Sequence, residues 1–204
     1  TRLTASDFLY ASELGYAIKL LAIASREDGA VQVRVHPAFV PADVMIAKVD
    51  GVLNAVEIET DLAGRVLFHG RGAGSMPTAS AVIADIVDIA RNLAGDVVPP
   101  APLKLSDDVR IRPMLDLETK YYLRLNVADR SGVLAQIASV LGKLDISIAS
   151  FIQKKSDETA QTAEIVLMTH RAKEASMQEA IQLLEALEVV VGVGNMVRVE
   201  EWQS

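Results

Sequence analysis

Regular changes in the spacing of apolar residues constrain the fold of residues 119–200 more than any other feature of the chain. Apolar and polar residues alternate where a strand with one buried face is expected, and they recur every three or four positions where an amphipathic helix is expected. The predicted strand, helix, strand, strand, helix and strand occupy residues 121–127, 132–144, 146–153, 161–169, 173–187 and 189–199. This β-α-β-β-α-β order predicts a ferredoxin-like domain, with one antiparallel sheet and both helices on the same face.

A proline-rich stretch separates this pattern from the residues before it. Pro99, Pro100 and Pro102 lie within six positions, and Pro113 follows shortly after. Proline lacks an amide donor and biases the preceding residue away from helix, so neither a helix nor a central strand is expected here. We therefore predict a first part at 1–95, a linker at 96–118 and a small domain at 119–204.

The first part is predicted to be α+β with a mixed sheet. Helical spacing occurs at residues 4–14 and 77–93. Apolar strands are predicted between these helices, at residues 17–24, 31–36, 52–59 and 65–69. No βαβ unit repeats along this part, so a doubly wound parallel sheet is not expected.

Composition excludes several classes of function. The formal net charge is −7 with no run of Lys or Arg, which does not fit a nucleic-acid-binding surface. No apolar run approaches the roughly 18–20 residues of a membrane span. The chain has no cysteine, which fits a reducing cytoplasm and excludes thiolate metal sites. It begins with Thr1 instead of Met, so we expect it to be part of a longer protein.

The first candidate site is the segment Asp129-Arg-Ser-Gly-Val-Leu, at the junction of a predicted strand and helix. Gly132 allows close approach of a ligand, and the free N–H groups of a helix start suit a carboxylate. Asp129 can receive an ammonium group, so the segment has the chemistry to bind a free amino acid. A capped helix start, with Ser131 as the N-cap and Asp129 in a turn, explains the same residues without a ligand.

Residues 119–200 resemble the ACT domains, on the strength of Gly132-Val-Leu, Ile137 and Ile146-Ser-Ile-Ala-Ser together with the complete element order. ACT domains usually pair side by side and bind amino acids at the interface. By this resemblance the effector contacts would come from the loop and from the start of the next strand. The implied residues are Asp129, Ser131, Gly132, Val133, Leu134, Ile146 and Ile148.

The second candidate site is His69-Gly-Arg-Gly-Ala-Gly-Ser-Met-Pro-Thr-Ala, where a strand runs into a glycine-rich turn and Pro77 is expected at the first helical position. A tight turn explains these glycines equally well. The acidic residue and the second strand of a dinucleotide-binding fingerprint are missing downstream. Lys19 is not assigned a catalytic role, and His36 and His69 have no second ligand at metal-binding spacing.

Residues 2–93 resemble the homoserine dehydrogenases, in Leu14-Gly-Tyr-Ala-Ile-Lys, in Val33-Arg-Val-His-Pro and above all in Gly70-Arg-Gly-Ala-Gly-Ser-Met-Pro-Thr-Ala-Ser. The resemblance implies the end of a catalytic domain, with Gly72 and Gly74 beside the nicotinamide of NADP (or NAD). The family interconverts L-homoserine and L-aspartate 4-semialdehyde, and L-threonine commonly inhibits it.

This resemblance also implies that the catalytic residues lie outside this chain, so the chain alone would be inactive. It implies a homo-oligomer formed through the ACT and catalytic domains. The alternative is a stand-alone ACT module for amino-acid sensing and assembly, without catalytic activity.

Overall fold

The computed structural model describes residues 3–95, 108–157 and 159–202, with the backbone alone at 155–157. The described helices are α1 Ala5–Glu13, α2 Ser75–Ala94, α3 Val133–Lys143 and α4 Glu174–Glu185. The described strands are β1 Tyr16–Glu27, β2 Ala30–Pro41, β3 Leu53–Thr60, β4 Gly64–Arg71, β5 Arg110–Ile111, β6 Glu118–Ala128, β7 Ile148–Asp157, β8 Thr162–Thr169, β9 Ala172–Lys173 and β10 Val190–Val199. One-turn 3₁₀ helices lie at Met45–Lys48 and Met114–Asp116.

The chain packs into two compact units that do not follow the order of the sequence. The larger unit combines Thr1–Ala42 with Val109–Ser204, and the smaller unit is Asp43–Asp108. The predicted division into 1–95, 96–118 and 119–204 separates consecutive segments of the sequence, whereas the two units group residues that are in contact in space. It stays a prediction, and residues 96–107 of the proposed linker lie outside the described residues.

The larger unit is built on one main sheet with the strand order β1-β2-β10-β6-β8-β7. In the order β10, β6, β8 and β7, each strand is antiparallel to its neighbour, and together with α3 and α4 these strands confirm the predicted βαββαβ arrangement. The hairpin of β1 and β2 extends this sheet, because β2 pairs in parallel with β10 at Ala38–Arg198 and Phe39–Val199.

One side of the sheet, which we call the inner face, packs against α3 and α4. Alternate residues of β6 and β8 point to this side, as the two-residue period of a strand requires. They form the main apolar core with Ile137 and Leu141 of α3 and with Met177 and Leu184 of α4. Sequence periodicity predicted this core correctly.

The opposite side, which we call the outer face, packs against α1. Tyr10 and Ala11 of α1 form a second apolar core with Phe39, Tyr122 and other strand residues, namely Val166, Met168, Val197 and Val199. Tyr122 is fully buried. The expectation that β6 is buried on one face only is therefore wrong, because α1 covers the face that the sequence pattern assigns to solvent.

The smaller unit contains the β3–β4 hairpin and the long helix α2. None of the residues of α2 is buried, and its predicted apolar face is exposed at Val82, Ile83, Ile86 and Val87. The helix begins at Ser75, so Pro77 is its third residue. The prediction that Pro77 is the first helical residue is therefore wrong. The missing N–H of Pro77 is still one of those that a helix start leaves without an internal partner.

The boundaries of the small domain also differ from the predicted ones. Gly132, and not Ser131, is the N-cap of α3. Part of the predicted linker is regular, since β5 pairs with β2 and β6 begins at Glu118. The glycines at 192 and 194 coincide with two register shifts between β10 and β6, as is typical of glycines at β-bulges.

Candidate functional site

A cavity of about 240 Å³ lies at the beginning of α3. One wall is the loop that follows β6, and the opposite wall comes from the inner face of β7 and β8. The lining residues are Val127, Ala128, Asp129, Arg130, Ser131, Gly132, Val133, Leu134, Phe151, Gln153, Ala163 and Ile165.

The structure brings together most of the residues expected to bind an effector. Asp129 and the consecutive residues 131–134 all line the cavity. Ile146 and Ile148 do not belong to its lining. Ile146 is buried in the inner core, and Ile148 packs against that core.

Local backbone geometry explains why the loop takes this shape. Gly132 has φ +86°, a left-handed conformation that favours glycine, and a Cβ there would meet no other group within 4 Å. The loop is tied to the next hairpin, since the amide of Asp129 donates to the Gln161 carbonyl at 2.8 Å. Val133 and Leu134, the first two residues of α3, line the cavity, and the amides of a helix start suit an anionic group.

Six lining residues outside the loop Asp129–Leu134 were not predicted, namely Val127, Ala128, Phe151, Gln153, Ala163 and Ile165. The strand period does place Ala163 and Ile165 on the inner face. Their position next to the loop depends on the strand order β6-β8-β7, which local sequence patterns do not give.

Behind this cavity, on the outer face, α1 is held by a buried charge cluster centred on Asp7. The Asp7 carboxylate is fully buried and accepts hydrogen bonds from Arg124 Nε at 2.8 Å and Asn195 Nδ2 at 3.0 Å. The Tyr122 hydroxyl donates a third, at 3.2 Å. Burial alone would raise the pKa of Asp7, but the hydrogen bonds from Arg124, Asn195 and Thr4 outweigh it and lower the pKa.

The same cluster reaches β8 through Glu164. Arg124 Nη1 donates to Glu164 at 2.8 Å, and the Tyr10 hydroxyl donates to the other carboxylate oxygen at 2.5 Å. Burial, together with Glu164, raises the pKa of Tyr10 to about 12. Gly194 leaves space for the guanidinium, because a Cβ there would lie 2.9 Å from Arg124 Nη1.

A second charge cluster joins α4 to β10. Glu174 is almost fully buried and accepts hydrogen bonds from Arg198 and from the Tyr121 hydroxyl, the latter at 2.9 Å. Burial favours the neutral acid, but the bond from Arg198 outweighs it and lowers the pKa of Glu174.

His36 lies in a third cluster, beside Glu200. Arg34 forms two hydrogen bonds with Glu200, at 3.2 and 2.8 Å, while His36 Nε2 is 3.7 Å from the same carboxylate. This nitrogen is buried without a hydrogen-bond partner. Burial lowers the pKa of His36, and Glu200 offsets the effect only in part.

The glycine-rich turn belongs to the smaller unit, where local packing accounts for both predicted glycines. A Cβ on Gly72 would lie 2.4 Å from Asn54 Nδ2, so the backbone and this side chain require a glycine. Gly74 is the N-cap of α2 with φ +127°. The first amides of α2 follow this turn, and such amides suit an anionic group.

Within the described ranges, no group of three or more His, Asp or Glu residues could hold a metal ion. None of the helices in the part of the chain that the structure describes has the length and apolar character needed to cross a membrane.

Comparisons with known proteins divide the chain along its sequence. Residues 1–87 match the family model for homoserine dehydrogenase, and residues 121–189 match that for the ACT domain. The homoserine dehydrogenase of Pseudomonas aeruginosa is 43% identical, over 98% of this chain and 48% of its own length. That of Neisseria gonorrhoeae is 41% identical, over 98% of this chain and 47% of its own length.

The solved structures give the same result. The crystal structure of a homoserine dehydrogenase from Thiobacillus denitrificans is 42% identical, with a TM-score of 0.87 over 98% of this chain and 46% of that chain. The chain thus spans about half the length of the relatives it matches. The stand-alone ACT module is not favoured, since these matches extend across both parts of the chain. The chain belongs to the homoserine dehydrogenase family, of which it carries the C-terminal portion, the end of the catalytic domain followed by an ACT domain.

Proposed function

We propose that this chain is the C-terminal part of an enzyme that interconverts L-homoserine and L-aspartate 4-semialdehyde, and that its cavity binds an inhibitory amino acid, L-threonine. The observation that carries the proposal is the cavity between Asp129 and the start of α3, in the same compact unit as the first 42 residues of the homoserine dehydrogenase match. Regulation requires the effector to bind two states of the enzyme with different affinity.

The chemistry of the cavity fits a free amino acid. Asp129 offers a carboxylate to the ammonium group, while the amides that follow Gly132 offer donors to the carboxylate. Phe151, Ala163 and Ile165 supply an apolar wall for a short side chain. We assign Ile146 and Ile148 a supporting role, since a shift of these core residues would move the start of β7.

The cofactor proposal is NADP (or NAD), bound mainly by residues outside this chain, with Gly72 and Gly74 beside the nicotinamide ring. The cofactor would accept or supply the hydride in the reaction. Gly72 and Gly74 carry no side chains of their own, which is compatible with close approach of a flat ring to the backbone beside Asn54.

The catalytic residues are proposed to lie in the remaining part of the enzyme, so that this chain alone is inactive. The exposed apolar face of α2 would pack on the nucleotide-binding domain there. The whole enzyme is proposed to be a cytoplasmic homo-oligomer, paired through its ACT and catalytic domains. Light scattering on the chain should give at least a dimer, and a monomer at all concentrations would contradict ACT pairing.

Calorimetric titration of L-threonine into this chain tests the effector site. We expect saturable binding, weakened at least about 10-fold by Asp129→Asn, since a hydrogen bond to a charged group contributes about 1.5–3 kcal/mol. Asp145→Asn is the matched control, because Asp145 follows the opposite end of α3 and does not line the cavity. If no binding heat is measured with L-threonine at about 10 mM, the dissociation constant is well above about 1 mM. That result would contradict L-threonine as the effector. Equal affinities of the two variants would contradict the role of Asp129.

A further inference from the structure

The cavity and the docking surface of α1 lie on opposite sides of the same strands. Ala163 and Ile165 of β8 line the cavity, and Glu164 between them points to the outer face. There Glu164 accepts hydrogen bonds from Tyr10 of α1 and from Arg124. A single backbone layer therefore separates a ligand in the cavity from the contacts that hold α1.

A second connection runs through β7. Gln153 lines the cavity, and the next residue, Lys154, forms an ion pair with Glu13 of α1 and lies 5.0 Å from the centre of the Tyr10 ring. The register between β7 and β8 shifts between Gln153 and Lys155, so these two neighbouring contacts are made at a bulge. A bulge re-aims side chains on both faces of a strand when its backbone moves.

Polar contacts make up much of the interface between α1 and the sheet. Its buried residues are Asp7, Tyr10 and Ala11, of which two bind charged or polar partners on the sheet. Asp7 binds Arg124 of β6, and Tyr10 binds Glu164 of β8. Charge-assisted hydrogen bonds depend strongly on distance and direction, so small movements of the strands change this docking more than they would change an apolar contact.

We propose that α1 is the element that reports occupancy of the cavity, through Glu164 and Lys154, to the rest of the segment that matches homoserine dehydrogenase. The inference rests on the proposed function, in which the cavity binds a small ligand. Because α1 leads directly into β1, a change in its docking reaches the segment at residues 16–41 without passing through the proline-rich stretch.

Hydrogen exchange of the amides of Ala5–Glu13, with and without saturating L-threonine, tests the proposal. We expect the exchange rates in α1 to change at least about 5-fold, the lower end of typical coupling, while those of α2 in the smaller unit stay the same. Glu164→Gln and Lys154→Gln should still bind threonine by calorimetry but lose most of this change. Glu118→Gln, an exposed acid on β6, is the matched control and should keep it.

Two results distinguish the coupling through α1 from the proposal that L-threonine binds in the cavity. If threonine binds by calorimetry and α1 exchange does not change, the coupling is wrong and the effector site stands. If threonine does not bind, the effector is wrong, and the coupling is tested by reshaping the cavity with Phe151→Leu. That variant should change α1 exchange, whereas Leu187→Met, at a residue after α4 that packs on the same core outside the cavity lining, should not. Equal behaviour of these two variants would overturn the coupling.

Discussion

Arg124 on β6 donates from Nε to the carboxylate of Asp7 on α1 across 2.8 Å, although the two residues are 117 positions apart. Asp7 is fully buried, and the Arg124 side chain retains only 12% of its exposure. This contact joins the beginning of the homoserine dehydrogenase match to the first strand of the ACT domain. Residues 1–42 of the homoserine dehydrogenase match therefore share one folded unit with the ACT domain, in their contacts as well as in their sheet.

Removal of the Asp7 carboxylate should destabilise the larger unit. Asp7→Ala leaves Arg124, Asn195 and Tyr122 without their common acceptor, and we expect a loss of about 3 kcal/mol in the free energy of unfolding, the lower end for a broken buried ion pair. Arg124 retains Glu164, which limits the cost. Urea unfolding monitored by circular dichroism gives the value, with the exposed Asp116→Ala as the control. A loss below about 1 kcal/mol, the range of a surface pair, would contradict a central role for Asp7.

Stability should fall as the pH is lowered below about 6.5, the ordinary pKa of histidine. Burial lowers the pKa of His36 in the folded state, so the unfolded state binds the proton more readily and is stabilised relative to the folded state as the pH falls. Below about 4.5 the lowered pKa values of Asp7 and Glu174 add a second loss, because their carboxylates are protonated first in the unfolded chain.

Thermal unfolding of His36→Gln between pH 7.5 and 5.5 isolates the first of these steps. The variant should show a flatter decrease of Tm with falling pH than the original chain. His170→Gln is the control, because His170 is exposed. If His36→Gln keeps the full slope, another group is responsible for it.

Local patterns in the sequence were sufficient for the four helices, for the longer strands and for the βαββαβ order, because each depends on residues a few positions apart. The outer face was not predictable in this way. It exists because β2 pairs with β10, which brings Phe39 next to Val199 and lays α1 across Tyr122. Asp7 had a sufficient local explanation as an acid in the first turn of a helix, so nothing marked it as a buried partner of Arg124.

One wall of the candidate cavity was predictable from the sequence and the other was not, because only the first depends on residues a few positions apart. The loop from Asp129 to Leu134 has a local signature, namely a turn acid and a glycine before an apolar helix. The wall formed by Phe151 and Ala163 has none, because apolar strand residues look the same wherever the sheet order places them. Only the pairing of β7 with β8 and of β8 with β6 brings that wall to the loop.

Residues 3–42 should be needed for folding of the ACT domain, whereas the smaller unit should be dispensable. A chain starting at Val109 would expose Tyr122, Val166 and Met168, and Arg124 would lose its partner Asp7. We expect it to aggregate or to bind a hydrophobic dye. The matched chain keeps 1–42 and replaces 43–108 with a flexible linker of about 24 residues, long enough to run back along β2. It should unfold cooperatively, and an equally poor solubility of both chains would contradict this grouping.

We expect that position 72 requires a glycine because the Asn54 side chain packs against it within the smaller unit. Gly72→Ala places a Cβ against the Asn54 amide, and we expect a loss of about 1–3 kcal/mol, typical of overpacking. Asn54→Ala removes that amide and should restore most of the loss in the double variant, which a double-mutant cycle measures. An additive result would mean that Gly72 is needed for another reason, such as approach of the cofactor.

Two glycines of the same helix region should respond to alanine with opposite signs. Gly132→Ala forces a residue with a Cβ into φ +86°, and we expect the free energy of unfolding to fall by about 1–2 kcal/mol, although nothing would clash with the new atom. Gly142 lies within α3, is exposed and has open space around it, so Gly142→Ala should stabilise the protein by about 0.5–1 kcal/mol. Denaturant unfolding of both variants checks the signs. If Gly132→Ala left the stability unchanged, the expected backbone strain would be absent and the left-handed turn would not explain this glycine. If the same variant also abolished threonine binding, Gly132 would be needed for close approach of the ligand.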